Sequence, residues 1–141
     1  MTANPFRPSA SAPVDPAVLA EIVKAYDVRG VVPDQLDDRI CRAIGTAFVQ
    51  LLSAEGPVPG VVVGHDMRPT SPELAAAFAE GVADAGVDVT MLGLASTDQL
   101  YCASGLLGVP GAMFTASHNP AQYNGIKLCR AHAAPVGQES G

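Results

Sequence analysis

Residues 111–120 have the sequence GAMFTASHNP, a short apolar run that ends in small and polar residues and then in a proline. The apolar part, 111–113, has the composition of a buried strand. A second apolar run, 126–129, follows the turn QYNG and predicts another strand. Sites in α/β proteins usually form where strands end. Ser117, at the centre of the loop between these two strands, is therefore the first candidate functional residue.

The rest of the chain alternates between helix and strand patterns. Apolar residues at helical spacing, together with capping residues, predict a short helix from Asp15 and longer helices over 37–54, over 71–85 with Ser71 as the cap, and from near Thr97 to Gly105 or Gly108. Short β-branched or apolar runs predict earlier strands over 22–26, 58–64 and 87–92. In the third long helix, Leu100, Tyr101 and Leu107 are available for the core. This alternation predicts an α/β fold, a three-layer sandwich with a mixed, mostly parallel sheet.

The two ends of the chain lack these patterns. Residues 1–14 are rich in Ala, Ser and Pro and predict a disordered leader, so the domain is expected over 15–130. Residues 131–141 offer almost nothing to bury and predict a loose tail. We therefore expect a domain that is incomplete at its C-terminal end, as the front of a longer protein would be.

Composition limits the classes of partner. Hydrophobic residues make up 48% of the chain and the formal net charge is −6, with no cluster of Lys and Arg. This argues against nucleic acid and against a membrane as partners. The three cysteines are far apart, without metal-ligand spacing, and there is no signal-peptide pattern. We expect reduced, mostly buried thiols in a cytoplasmic protein.

Two cations could serve an anionic substrate near Ser117. Arg29 follows the predicted first strand in the loop DVRG, and Lys127 lies in the predicted last strand. Arg offers a planar fork that suits phosphate, and Lys offers a compact charge and a group for proton transfer. An ordinary solvated role remains the alternative for each of them.

Ser117 itself has two further interpretations. One is a serine hydrolase, but the G-x-S-x-G elbow is absent, and a catalytic triad would need His65 or His132 from elsewhere in the chain. The other is a polar turn in which the side chains of Ser117 and Asn119 bond the local backbone.

Three motifs resemble those of the α-D-phosphohexomutases, the family of bacterial phosphomannomutase/phosphoglucomutase proteins. Residues 115–120, TASHNP, followed by YNGIK at 123–127, resemble the family's phosphoserine loop. Residues 24–30, KAYDVRG, resemble its N-terminal signature, and residues 64–68, GHDMR, resemble its G-R-D-x-R segment, with His65 in place of an arginine. The motifs occur in the family's order over about 22–130, so the resemblance covers the N-terminal domain, domain I, alone.

The resemblance implies a role for each matching residue. Ser117 would carry a phosphoryl group and exchange it with hexose phosphates, through a hexose 1,6-bisphosphate intermediate, moving phosphate between C1 and C6 of mannose or glucose. Arg29 and Lys127 would contact the phosphoserine and the substrate, and either could assist proton transfer. His118 and Asn119 would shape the loop and the approach to the phosphoryl group. Tyr26 would support Arg29 beside the substrate.

The resemblance also implies partners that are not encoded in these residues. Mg²⁺ would bind the phosphoryl group on Ser117 together with aspartates of a D-G-D-G-D loop, which the chain lacks. The sugar-recognition and C-terminal phosphate-binding segments of the later mutase domains are also missing. We therefore expect this phosphoserine-bearing chain to be inactive alone. The alternatives are a non-catalytic truncated paralogue or binding module and, with weaker support, a serine hydrolase. Apolar surface that the missing parts would cover predicts some self-association.

Overall fold

A computed structural model describes residues 14–24 and 27–136, whose strands form one mixed sheet flanked by helices on both faces. The helices are α1 (Pro16–Ile22), α2 (Asp38–Ser53), α3 (Ser71–Asp84) and α4 (Thr97–Leu107). The strands are β1 (Val28–Val31), β2 (Val61–His65), β3 (Val89–Leu94), β4 (Gly111–Phe114), β5 (Tyr123–Arg130) and β6 (Ala134–Pro135). The strand order is β1-β5-β4-β2-β3, and β6 pairs with β5.

One side of the sheet is parallel and the other side is antiparallel. Strand β2 pairs in parallel with both β3 and β4, whereas β5 runs antiparallel to β4, β1 and β6. Only a short loop connects β4 to β5, too short for a crossover helix, so these two strands must run antiparallel. The predicted mixed α/β sandwich is confirmed, with its parallel part confined to β3, β2 and β4.

Helices α2 and α3 cover one face of the sheet and α4 covers the other. On the first face, the ring of Phe78 packs against Phe48 at 6.1 Å and edge-on against Phe114 at 5.4 Å between ring centroids. On the opposite face, Leu100 of α4 packs against Val62 and Met113. Phe114 is the last residue of β4, so the larger core anchors the strand that leads into the Ser117 loop.

Helices α2 and α3 approach closely because small residues face each other. A Cβ on Gly81 would lie 1.9 Å from the carbonyl oxygen of Arg42, and Thr46 Oγ1 donates to the Gly81 carbonyl across 2.8 Å. At the ends of this pair, the Arg42 guanidinium binds Asp84 at 2.8 Å and Glu80 at 3.1 Å. A larger side chain at position 81 would force the helices apart.

The first predicted strand, over 22–26, is wrong for its described residues, 22–24. Asp15 caps α1 by accepting from the Ala17 amide at 2.9 Å, and the helix continues to Ile22, whose side chain is fully buried. The strand follows later, over β1, where Val28 faces the core. Arg29 therefore lies within a strand and not in a loop after one.

Three smaller predictions also need correction. Thr70, not Ser71, is the N-cap of α3, because the helix already begins at Ser71, and the Ser71 hydroxyl donates to Asp66. Leu107 is 54% exposed at the end of α4, where Gly108 adopts the left-handed conformation, so it is not a core residue. Part of the predicted loose tail is ordered, because residues 131–133 form a 3₁₀ turn and β6 pairs with β5.

Other predictions fall outside the described residues. These include Tyr26, the end of the tail (137–141) and the leader, apart from Val14, which packs against the core. Within the described part of the chain, no helix combines the length and the apolar character needed to cross a membrane.

The thiols differ in exposure. Cys41 and Cys129 are buried, whereas Cys102 is exposed on α4, and all three are free. Burial, with a smaller contribution from Asp37 and Asp38, raises the pKa of Cys41 far above its ordinary value of 9.0. Burial also raises the pKa of Cys129. The prediction of mostly buried thiols is therefore confirmed for two of the three cysteines.

Candidate functional site

Ser117 lies in the loop that joins β4 to β5. The loop begins in a fixed position, because the Thr115 amide donates to the Gly125 carbonyl of β5 at 3.0 Å. The Thr115 hydroxyl then accepts from the Ser117 amide at 3.1 Å. Ser117 is exposed and has a φ of 56°, in the left-handed region that side chains other than glycine seldom adopt. The loop thus presents Ser117 to solvent at the end of a buried strand.

Beside Ser117 there is a cleft of about 360 Å³. It lies at the carboxyl ends of the three parallel strands, the edge where α/β folds place their ligands. The residues that line it come from the segments following β2, β3 and β4 and from the start of α4: Asp66, Met67, Ala95, Ser96, Thr97, Thr115 and Ser117, with Leu94 and Met113 from the strands.

Arg29 and Asn119, both predicted as site residues, are brought together. The Arg29 guanidinium donates from Nη1 to Asn119 Oδ1 at 2.8 Å and from Nη2 to Asp27 Oδ2 at 2.6 Å. The Nε of Arg29 is buried and, among the described residues, has no hydrogen-bond partner. Strand β1 thus presents an oriented guanidinium to the Ser117 loop.

Lys127 lies on the same face of the sheet as Arg29. It pairs in register with Met113 of β4, and Gly125, two residues earlier, pairs with Arg29 of β1. Since side chains alternate along a strand and paired residues share a face, Arg29 and Lys127 both lie on the α4 side. Lys127 is partly exposed there.

Gly125 allows three chain segments to meet behind the loop. A Cβ at this position would lie 2.3 Å from the Val28 carbonyl oxygen and 3.0 Å from the Thr115 carbonyl oxygen. Any larger residue would push β5 away from β1 and from the start of the loop. The glycine therefore sets the distance between Arg29 and the Ser117 loop.

The sequence reasoning missed Arg68, although it lies in the GHDMR segment. Its Nη1 donates to the carbonyls of Pro120 and Tyr123 at 2.9 and 3.0 Å. Its Nη2 donates to the carbonyls of Ser117 and Asn119 at 3.1 and 2.7 Å. The acceptors are backbone atoms far along the chain, so no local pattern shows this contact. The signal that could have suggested Arg68 was its place just after the central parallel strand.

A chain of polar contacts holds Arg68 in place. Asp66 Oδ2 lies 3.3 Å from Arg68 Nε, and Asp66 Oδ1 accepts from the Ser71 hydroxyl at 2.5 Å. The Asn124 amide donates to the hydroxyls of Thr70 and Ser71, at 2.9 Å in each case. These contacts join the start of α3 to the start of β5.

The three histidines do not lie where a serine hydrolase would need its catalytic histidine. His65 Nδ1 lies 2.9 Å from the carbonyl oxygen of Asp66, next to it in the chain. His118 is exposed beside Ser117. His132 lies in the 3₁₀ turn with a φ of 63°, and its ring faces Gly108 at the end of α4. None of these positions supports a Ser–His–acid triad.

The described residues do not by themselves fit a Mg²⁺ site. Within 14–24 and 27–136, no three His, Cys, Asp or Glu side chains cluster so that they could hold a metal ion. The Asp66 carboxylate, which lines the cleft beside Ser117, is already engaged by Arg68 and Ser71. Ser117 remains the predicted point at which this chain would contact the ion, through a phosphoryl group.

A family model and the curated relatives place this chain in the same protein family. A family model described as "Phosphoglucomutase/phosphomannomutase, alpha/beta/alpha domain I" matches residues 20–140. A phosphomannomutase of Klebsiella pneumoniae is 45% identical over 120 residues, which are 84% of this chain and 73% of that protein. A phosphomannomutase of Escherichia coli is also 45% identical over 120 residues, but the match covers 25% of its length.

The solved structures agree. A phosphoglucomutase/phosphomannomutase family protein from Burkholderia thailandensis superposes with a TM-score of 0.73 at 38% identity, over 84% of this chain and 27% of that protein. The chain thus spans about a quarter of the Escherichia coli and Burkholderia relatives. On this agreement of sequence and fold, the chain belongs to the phosphoglucomutase/phosphomannomutase family and corresponds to its α/β/α domain I.

Proposed function

We propose that this chain is the phosphoserine-bearing domain of a hexose phosphate mutase, a phosphotransferase that interconverts hexose 1-phosphate and hexose 6-phosphate. The observation that carries the proposal is the exposed Ser117 on a backbone-anchored loop, with the oriented Arg29 guanidinium bound to the same loop. A fixed serine next to a fixed cation suits phosphoryl transfer, which depends on positioning and on neutralisation of charge. We place the domain at the predicted residues 15–130, together with Val14 and the segment 131–136, which pack against its core and pair with its sheet.

The proposed step uses a hexose 1,6-bisphosphate as donor. Ser117 Oγ attacks the phosphorus of one phosphoryl group, and the bond between that phosphorus and the sugar oxygen breaks. The sugar oxygen takes up the proton that the serine hydroxyl loses, so the products are phosphoserine and a hexose monophosphate. The bisphosphate itself arises by the same step in reverse, in which the phosphoryl group on Ser117 moves to the free 6-hydroxyl of a hexose 1-phosphate. Transfer of the other phosphoryl group, from the oxygen on C1, back to Ser117 then leaves hexose 6-phosphate. Arg29 contacts the transferred group, and Lys127 assists the proton transfer.

Several contacts support these assignments. Arg29 is held by Asp27 and Asn119, so its guanidinium loses little freedom when it meets a phosphate. Lys127 shares the face of Arg29. The cleft beside Ser117 also borders the N-terminal end of α4, where the helix dipole favours anions. His118 and Asn119 follow Ser117 directly in the loop, and we assign them the shaping of the approach to the phosphoryl group.

The remaining parts of the reaction belong to groups outside the described residues. We propose that Mg²⁺, the sugar-binding segment and the second phosphate site come from further mutase domains, and that this chain alone does not turn over hexose phosphates. The choice between mannose and glucose would then depend on those domains. Exposed apolar residues such as Met67 and Leu94, 83% and 70% accessible beside the cleft, are consistent with a surface that another domain covers.

A chimera tests the proposal. Residues 20–140 of this chain replace the corresponding first domain of the Escherichia coli phosphomannomutase, with which they share high identity. Conversion of glucose 1-phosphate to glucose 6-phosphate is followed by a coupled assay, with the bisphosphate activator and Mg²⁺. We expect turnover by the chimera and its loss in Ser117→Ala. The matched control, Ser53→Ala, changes an exposed serine at the end of α2 and should leave the rate unchanged.

The alternatives predict different outcomes. A non-catalytic module would give a folded but inactive chimera, which would contradict the proposal. A serine hydrolase would be labelled at Ser117 by a fluorophosphonate probe, whereas the mutase proposal predicts no labelling. The 141-residue chain assayed alone should show no turnover, and rapid turnover would refute its dependence on other domains.

A further inference from the structure

We propose that Arg68 is a positioning residue that sets the backbone conformation of the Ser117 loop. The inference concerns how the loop is held, and its meaning for phosphoryl transfer rests on the proposed function. Arg68 does not need to touch the substrate for this role, because it acts through the loop backbone.

The contacts of Arg68 are directed at the main chain. The two terminal nitrogens of its guanidinium donate to four carbonyl oxygens, those of Ser117, Asn119, Pro120 and Tyr123, at 2.7 to 3.1 Å. The Arg68 side chain is only 12% exposed, so the donor side of these hydrogen bonds is largely shielded from water. Because the acceptors are backbone atoms, the arrangement specifies the path of the loop over 117–123.

Ser117 needs such a device because of its backbone conformation. Its φ of 56° is one that a non-glycine residue holds only when its surroundings impose it. The Ser117 amide is fixed by the Thr115 hydroxyl at 3.1 Å, and its carbonyl by Arg68 Nη2, also at 3.1 Å. The amide of Ser117 is thus held within the loop and its carbonyl by the segment after β2, which fixes the direction of the exposed side chain.

Arg68 can act as a template because it is itself immobilised. Asp66 Oδ2 lies 3.3 Å from its Nε, and Asp66 Oδ1 accepts from its backbone amide at 3.0 Å. Ser71 and Asn124 extend the network to the start of α3. Lysine cannot replace this planar fork, because its ammonium is a single point of charge on a flexible stem.

NMR spectroscopy of the 141-residue chain tests the proposal. A residue with positive φ gives a strong nuclear Overhauser effect between its own amide and Hα protons, so this signal from Ser117 reports the loop conformation directly. We expect it in the wild type and in Arg42→Lys, which alters exposed ion pairs between α2 and α3. We expect its loss in Arg68→Lys, with the signals of α2 and α3 unchanged. Methylguanidinium should restore it in Arg68→Ala.

Clear results would overturn the proposal. If Arg68→Lys folds and keeps both the Ser117 signal and the chemical shifts of 115–123, Arg68 does not position the loop. If the Arg68 variants fail to fold, the NMR spectrum of the wild type provides the test. The four hydrogen-bonded guanidinium protons of Arg68 should then give separate, slowly exchanging resonances. A single averaged resonance, as expected for Arg42, would contradict the proposal. Neither measurement uses substrate, so failure here is distinct from failure of the chimera.

Discussion

Arg29 Nη1 donates to Asn119 Oδ1 across 2.8 Å, although the two residues lie 90 positions apart in the chain. The contact joins the strand that begins the sheet to the loop that carries Ser117. Asp27 holds the other side of the guanidinium at 2.6 Å, so the cation has a fixed orientation towards the loop.

Replacement of Arg29 should therefore affect activity more than stability. In the chimera, we expect Arg29→Lys to lower kcat by about 10- to 100-fold, because the lysine loses the fork that Asp27 and Asn119 orient. Since Arg29 and Asp27 keep 28% and 17% exposure, the loss of their ion pair should cost at most about 1 kcal/mol of unfolding free energy. Steady-state kinetics and urea unfolding measure the two effects.

The matched control for this variant is Arg39→Lys, at an exposed position near the start of α2. It should change neither kcat nor stability. An Arg29→Lys chimera with wild-type kcat would show that the oriented guanidinium has no part in the transfer.

Gly125 should tolerate no side chain. In Gly125→Ala, the new Cβ would lie 2.3 Å from the Val28 carbonyl oxygen, and backbone atoms cannot move aside at low cost. We expect a loss of about 1–3 kcal/mol in unfolding free energy. Gly105→Ala is the control, because its Cβ would meet nothing within 4 Å on α4, and it should be neutral or stabilising by up to about 1 kcal/mol. Equal melting temperatures for the two variants would contradict the strand arrangement.

The three thiols should differ in reactivity. Cys102 is exposed, whereas Cys41 and Cys129 are buried. A thiolate is the reactive species, and burial raises the pKa of both buried thiols. We expect a thiol-specific chromogenic reagent to modify Cys102 rapidly in the native chain and the other two only after unfolding. Cys102→Ser should abolish the rapid phase; a rapid phase that persists in this variant would show that a buried thiol is accessible.

The raised pKa values of these thiols also predict a lower free energy of unfolding at alkaline pH. The native state keeps the proton on Cys41 that the unfolded state releases above its ordinary pKa of 9.0. The contribution is fully present below that pH and is lost as the pH rises towards the native pKa, by up to about 1.4 kcal/mol per pH unit. Urea unfolding between about pH 8 and about pH 10 should show the fall, and Cys41→Ala should reduce its slope. An unchanged slope would mean that Cys41 does not control it.

The sequence was sufficient to predict the sandwich and the central loop. Helix α2 has regular apolar spacing and an Asp37 cap, and strand β4 is a short apolar run that ends in the Ser117 loop, so each signal is local. The first strand was misplaced because a short apolar run such as the one from Ile22 is compatible with a helix or with a strand. In the structure, Ile22 is the last residue of α1 and its side chain is buried in the core.

The sequence supplied candidate site residues, but not the contacts that the structure shows between them. Asn119 was expected to shape the loop, yet its contact with Arg29 depends on the pairing of β1 with β5, which lies outside any local pattern. Arg68 was missed for the same reason, since its acceptors are the carbonyls of a loop about 50 residues further along the chain. Every residue has a backbone carbonyl, so the sequence does not show which carbonyls will accept a hydrogen bond from a distant side chain.

The most direct test of the account is the location of the phosphoryl group. The chimera is incubated with hexose 1,6-bisphosphate and Mg²⁺, and its intact mass and peptide masses are then measured. The account predicts one added phosphoryl group, found on Ser117 and discharged when hexose monophosphate is supplied in excess, with none in Ser117→Ala. An active chimera that carries no phosphate on Ser117, or carries it on another residue, would contradict the central claim.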